Sequence, residues 1–344
     1  MTNILRLALI TTISIAFVTA GKSQLANFPP DQAPWPKASP ESQGFSSEKL
    51  AQARELMMTD SGDPFSQAEM IIIRQGYDIY HYGDHVYQLQ KGLQKQNDWA
   101  SCARSLMATM FGMFLRENEL GTAPLELPVN EVFNSTVARE MDDTILLKHL
   151  ISYTSCADPP GSDWKYACNY FPMYKIIRDA YGKSPSHKIR ELAELIGAQW
   201  EPFEYWGHNQ DVPFLTITAT PADAARWGYL WLHQGNWNGT QVVDSAFVIA
   251  SVQPIKNPVS EGFAHPHEGM QIHLNRGMWG DKIPNDAFAA FGAGGRIIFV
   301  CPSLDLVIAS ITTPSAYQKQ MIDGLQIRDI RNLMEPIIAA MNNH

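Results

Sequence analysis

The chain has 344 residues, 45% of them hydrophobic and 18% charged, with 9 Trp, 12 Tyr and 15 Phe; this composition gives a sizeable core and excludes a disordered polymer. Its formal charge of -9, with no lysine- or arginine-rich tract, excludes a nucleic-acid partner, because nothing would neutralise phosphates. The length fits one large mixed domain or two closely packed lobes.

At the amino end, Arg6, the apolar stretch Leu7 to Val18 and the small-residue run Val18-Thr19-Ala20 read as an export signal over residues 1–20, cut after Ala20. About a dozen apolar residues are too few to span a bilayer. The protein is therefore expected to be exported, periplasmic or secreted, with no stable membrane span after cleavage. Residues 21–43, holding five prolines, read as an irregular arm, and residues 44–344 as the folded domain. Ser46 or Ser47 caps a helix running to about Met58. Ala68 to Arg74 and Tyr77 to Tyr82 are strand-like runs either side of Gln75-Gly76. A long apolar helix follows over Ser101 to Glu119.

The middle third predicts helices over Asp143 to Tyr153, Pro172 to Tyr181, His187 to Ile196 and Pro221 to Gln234. The last third predicts strands at Met270 to Leu274, Ala287 to Phe291, Arg296 to Cys301 and Leu306 to Ile311, then a helix from about Ile327 to Met341. That order makes an α/β (α+β) protein: an antiparallel sheet built from both chain ends, with a helical lobe at roughly 105–235 inserted between them.

Export makes Cys102, Cys156, Cys168 and Cys301 candidates for disulfides, and four cysteines allow three full pairings. Cys156 and Cys168 bracket a loop rich in Pro, Gly and Asp, so a bridge there would restrain it; free thiols are the alternative. Cys102 is either a reactive thiol or a buried, inert one.

Ser101-Cys102-Ala103-Arg104 carries the chemistry. In a helix, positions i and i+3 share a face, so Ser101 and Arg104 stand together at the amino end, where the macrodipole favours a developing anion. S-x-x-K hydrolases activate a serine this way, but a guanidinium stays protonated and cannot take the serine proton. Tyr166, on a loop before a helix, is a candidate base if a nearby cation favours its phenolate; a packed aromatic is the other reading. Gly292-Ala293-Gly294-Gly295 leaves backbone donors free to approach a substrate, or is a plain hairpin turn. His265, His267, Glu268 and His273 lack H-E-x-x-H spacing, so no metal site is expected.

Taken in order, Ile71 to Gly76, Ser101 to Arg104, Leu146 to Ser155, Tyr166 to Cys168, Thr220 to Gly228, Gly235 to Gly239 and Gly292 to Pro302 resemble the serine beta-lactamase-like family. That family includes class C beta-lactamases, DD-peptidases, esterases and 6-aminohexanoate-dimer hydrolases. The resemblance implies that Ser101 is the acylated nucleophile, Arg104 a helper cation and Tyr166 the proton relay. It also implies an oxyanion hole formed by the amides of Ser101 and Gly295. Three positions depart from the family pattern: Arg104 replaces lysine, Cys168 replaces the asparagine of Y-x-N with Asn169 one residue on, and Gly292 or Ala293 replaces the K-T-G lysine. Without that lysine to bind a carboxylate, small neutral esters or amides are the expected substrates, taken without a cofactor. Asn169, Gly292, Gly294 and Trp279 are expected to line the pocket, with Tyr205 and Trp206 among the aromatic residues that set selectivity. The alternative is a catalytically silent binding protein of the same fold.

Overall fold

The computed structural model describes residues 27–59, 68–82, 98–205, 212–293, 296–312 and 328–342. The expected signal segment, the first residues of the arm, Trp206, Gly294 and Gly295 lie outside the described residues. In chain order the elements are α1 (Ser47–Thr59), β1 (Ala68–Arg74), β2 (Tyr77–Tyr82), α2 (Ala103–Glu117), α3 (Val129–Val132), α4 (Thr136–Arg139), α5 (Leu147–Ile151), α6 (Tyr170–Tyr181) and α7 (Pro185–Leu195). They continue with β3 (Glu201–Tyr205), β4 (Phe214–Thr218), α8 (Pro221–Leu232), β5 (Asn236–Trp237), β6 (Thr240–Gln241), α9 (Ser245–Ser251), β7 (His273–Leu274), β8 (Phe288–Gly292), β9 (Arg296–Cys301), β10 (Leu306–Thr312) and α10 (Arg328–Ala339).

Six strands form one antiparallel sheet in the order β2-β1-β10-β9-β8-β7, so the two ends of the chain meet at the β1–β10 pair. The central strands are apolar on both sides because both faces are covered. Along them, period-two alternation sends Ile71, Ile73, Ile298, Val300, Val307 and Ala309 to one core. Met70, Ile72, Ile297, Phe299, Leu306 and Ile308 go to the other. The second core is closed by α1 and α10 through Leu50, Ala53, Leu333, Met334 and Ile337. Ser46 caps α1, its hydroxyl accepting the Lys49 amide at 3.2 Å.

On the opposite face lie α8 and α2 with the helical lobe. Helix α2 is buried from Ala103 to Met113 and again at Leu115, which is how a helix apolar all round must sit. The arm crosses α8: the Trp35 indole donates to the Ala222 carbonyl at 2.8 Å, and Arg226 donates to the carbonyls of Pro30 and Ala33. Trp35 is part of the core, so its truncation to alanine would cost about 3–5 kcal/mol.

Two expected elements differ, and one was not expected. The helix expected over Asp143 to Tyr153 is confined to α5, because Asp142 accepts the Thr144 amide and hydroxyl in a tight turn and Leu146 pairs with Pro128 in a bridge. The strand expected at Met270 to Leu274 reduces to β7, because Gln271 takes φ of 61° and the Met270 amide turns to the Ser251 carbonyl. The β3–β4 hairpin, absent from the sequence reading, occupies part of the lobe.

Candidate active site

Ser101 sits in a single 3-10 turn, Ala100–Cys102, that feeds directly into α2. The turn is held from three sides. The Trp99 amide donates to Ile217 of β4 at 2.9 Å, the Trp99 indole to Ala219 at 3.0 Å, and the Asp98 carboxylate accepts the Ala100 amide at 2.8 Å. These bonds keep Ala100 at φ of 45°, a left-handed conformation that costs a residue with a Cβ roughly 1–2 kcal/mol. Thr216 of β4 donates to the Ala100 carbonyl at 3.4 Å. The hairpin that the sequence did not announce therefore braces the nucleophile turn.

The Ser101 hydroxyl lies 2.8 Å from the Tyr166 hydroxyl. Tyr166 is 55% exposed, so this pair faces solvent. Arg104 is only 9% exposed. Its Nε donates to the Ser101 carbonyl at 3.2 Å, and its guanidinium carbon lies 4.4 Å from the centre of the Tyr166 ring and 5.8 Å from that of Tyr153. The cation thus lies over both tyrosine rings, which themselves meet edge-on at 6.4 Å, and each attracts it through the ring quadrupole. Burial pushes the Tyr153 phenol well above its usual range, against the pull of Arg104.

The loop that carries Tyr166 is closed at both ends. Cys156 and Cys168 form a disulfide with 5.9 Å between Cα atoms. Cys102 and Cys301 are free and buried. Burial raises both thiols, that of Cys301 to about 12, so Cys102 is the inert thiol of the two readings. Asn169, expected in the pocket, turns its amide back to the Ser155 hydroxyl at 2.7 Å and so braces the loop. Trp164 stands edge-on to Tyr166, and His265 tilts against Trp164, making one aromatic wall. Phe214, Tyr170 and Phe171 make a second cluster on β4 and α6.

The end of β8 approaches the nucleophile closely. A Cβ on Gly292 would fall 2.5 Å from the Trp99 carbonyl oxygen and 3.2 Å from the Ser101 amide nitrogen, so only glycine lets the backbones meet there. Trp279 is a correction to the sequence reading. It is fully buried in the core on the other face of the sheet, against Phe299, and lines no space near Ser101. The histidine-rich segment divides: His273 and Glu268 form a buried pair at 2.6 Å, while His265 faces Trp164. Among the described residues no group of three or more His, Cys, Asp or Glu is arranged to hold a metal ion.

No family model matches the chain. Over 122 residues it is 26% identical to the uncharacterized protein BpOF4_21049 of Alkalihalophilus pseudofirmus, covering 34% of this chain and 36% of that protein, so the match spans about a third of that relative's length. Solved structures align over far more of the chain. A penicillin-binding protein homologue from Caulobacter crescentus superimposes with a TM-score of 0.58 at 15% identity, covering 86% of this chain and 99% of its own. EstCE1, a hydrolase with promiscuous acyltransferase activity, gives 0.56 at 12%, covering 86% and 99%. A mutant of simvastatin synthase from Aspergillus terreus gives 0.57 at 14%, covering 85% and 98%.

The chain has the serine beta-lactamase-like fold. Within it, the side chains of Ser101, Arg104 and Tyr166 are brought together. Where the Y-x-N pattern carries asparagine, this beta-lactamase-like chain has a disulfide sulfur. Sequence reasoning missed Tyr153 as the second ring against Arg104, and Asp98 and Arg296 as supports of the turn. Their signal was thin: a tyrosine ending a helical run, a lone acid three residues before the serine, and a cation opening an apolar strand.

Proposed function

We propose that the chain is a serine hydrolase that acts through an acyl-enzyme on a small neutral ester or amide, in an exported compartment, without a cofactor. The observation that carries this reading is the Ser101–Tyr166 hydroxyl pair at 2.8 Å, with the Arg104 guanidinium 4.4 Å over the Tyr166 ring. Nucleophilic catalysis needs an acceptor within hydrogen-bond reach of the serine, and Arg104, permanently protonated, cannot be that acceptor. Tyr166 takes the Ser101 proton as Oγ attacks the substrate carbonyl. Arg104 supplies positive charge beside the Tyr166 phenolate that accepts this proton and that is regenerated when the proton is passed on, worth more in a partly desolvated site than in water. The oxyanion is held by the Ser101 amide and, by analogy with the fold's relatives, that of Gly295. Tyr166 then returns the proton to the leaving group, and water reverses the sequence to release the acid.

The substrate class follows from charge. Gly292 and Ala293 stand where K-T-G relatives carry a lysine, so no cation on this turn binds a carboxylate, which favours uncharged acyl groups. The hydrolytic description of EstCE1 supports the reaction class. Export rests on the amino-terminal segment and agrees with the disulfide; no helix among the described residues is long and apolar enough to cross a membrane. A fluorophosphonate probe tests the reading. Stoichiometric modification mapped to Ser101 by mass spectrometry, and lost in Ser101→Ala, supports it; folded protein that stays unmodified leaves the silent binding protein, the reading that Arg104 in the lysine position would favour.

A further inference from the structure

Arg296 opens β9 and is fully buried. A guanidinium placed in a protein interior costs several kcal/mol in lost hydration unless its donors are met, and the rest of β9, Ile297 to Cys301, is apolar and cysteine. An aliphatic residue would pack there at no such cost, so what the guanidinium holds identifies its role.

Its Nε donates to the Asp98 carbonyl at 2.8 Å and its Nη1 to the Ala293 carbonyl at 3.3 Å. Asp98 begins the turn that presents Ser101, and its carboxylate fixes the Ala100 amide. Ala293 begins the glycine-rich turn after β8, and the β8–β9 ladder pairs Gly292 with Arg296 itself. The Arg296 carbonyl in turn accepts the Cys102 thiol at 3.4 Å, one residue beyond the nucleophile. One rigid fork therefore spans two separate segments: the one that carries Ser101 and the one that faces the Ser101 amide across Gly292. The Asp98 carboxyl, raised by burial, is drawn down by the same arginine.

We propose that Arg296 is a positioning residue for catalysis, fixing the nucleophile turn against the end of β8 at Gly292 and Ala293 so that the Ser101 hydroxyl and amide are held in place for acylation. This rests on the serine-hydrolase reading above. The planar guanidinium suits the task because two of its nitrogens hold two carbonyls at a fixed separation, which the single ammonium of lysine does not. Catalysis by preorganised donors is sensitive to such spacing, and a displacement of about 1 Å costs on the order of 100-fold in rate.

The experiment compares wild type, Arg296→Met, Arg296→Ala and Arg296→Lys in the full chain. It reads fluorophosphonate labelling rate at Ser101, kcat and KM on a p-nitrophenyl ester, and folding by circular dichroism and melting. The expected result is folded variants with acylation and kcat reduced about 100-fold and KM little changed. Millimolar methylguanidinium should partly restore Arg296→Ala, a recovery that a purely structural loss would not show. Should Arg296→Met fail to fold, Arg296→Lys, which keeps the charge but lacks the fork, tests the same geometry. A folded variant that labels as fast as a labelled wild type overturns the positioning role alone. A wild type that the probe does not modify overturns the hydrolase reading and the positioning role with it.

Discussion

The Ser101 and Tyr166 hydroxyls are 2.8 Å apart although 65 residues separate them in the chain. Such a pair does one of two things: it passes a proton, or it merely shares one. General acid–base assistance is worth about 100- to 10,000-fold in rate, so Tyr166→Phe is expected to lower kcat on a p-nitrophenyl ester by that factor with the fold intact. A Tyr166→Phe enzyme that keeps most of its turnover would remove tyrosine from the mechanism.

Arg104 separates charge from proton transfer. The guanidinium lies against the Tyr153 and Tyr166 rings and is anchored by Nε to the Ser101 carbonyl. Arg104→Met removes the charge and is expected to reduce kcat at least about tenfold, the equivalent of roughly 1.4 kcal/mol and within what a desolvated cation–aromatic contact supplies. Arg104→Lys puts there a group that serves as a cation when protonated and as a base when deprotonated, which a guanidinium does not, so its turnover should match or exceed wild type. Equal losses in both variants would mean that Arg104 works through its shape and not through its charge.

The disulfide reaches the site through the loop it closes. Cys156 and Cys168 stand 12 residues apart with Tyr166 between them, and Asn169 bonds Ser155 across the same junction. Releasing a loop of this size removes on the order of 3 kcal/mol of stability. Because Tyr166 is on the loop, acylation should suffer more than the fold. The double variant Cys156→Ser/Cys168→Ser is expected to melt lower yet still cooperatively, and to label several-fold more slowly at Ser101. Unchanged labelling in the variant would show that the bridge supports the fold only.

What could be read from the residues alone follows a physical division. Strands β1, β2 and β9 have the bounds read from the sequence, because β-branched and aromatic runs set off by turn residues such as Gln75-Gly76 are themselves the strand signal. Ser101, Arg104 and Tyr166 were legible because a serine and a cation three apart at a helix start is a chemical pattern in itself. The β3–β4 hairpin was not: Pro202 within Glu201–Tyr205 argues against a strand, and only an edge position tolerates it. Trp279 was misplaced for a related reason. Its type suggests a pocket, but which face of the sheet a loop tryptophan enters is decided by tertiary packing. Arg296 escaped notice because its partners are backbone carbonyls on distant segments, which leave no side-chain pattern.

Gly292 offers a steric test of the approach between β8 and the nucleophile. A methyl there would fall 2.5 Å from the Trp99 carbonyl oxygen and 3.2 Å from the Ser101 amide nitrogen. The first distance is below any tolerated contact, and both neighbours are backbone, so the strand end and the 3-10 turn must part. Gly292→Ala is expected to lose on the order of 100-fold in kcat, as a displacement near 1 Å does, with a melting temperature only slightly lower. A Gly292→Ala protein with wild-type turnover would show that the two backbones have room to yield.

His149 ties stability to pH. Burial, reinforced by the Lys148 charge, holds its imidazole down to about 4, against an ordinary value near 6.5. The ring is unprotonated at Nδ1, which accepts the Leu146 amide at 3.4 Å. Its Nε2 side faces the disulfide loop at Gly161, where an added Cβ would fall 2.8 Å away. Below about 6.5 the unfolded chain takes up a proton that the folded chain refuses until about 4. The unfolded state therefore binds more protons in that window, and stability falls as pH falls through it, then levels off below. Melting followed by circular dichroism at pH 7 and at pH 4.5 is expected to show a larger fall for wild type than for His149→Gln, which cannot take up the proton. Equal falls would assign the acid sensitivity to carboxylates elsewhere and free His149 of any part in it.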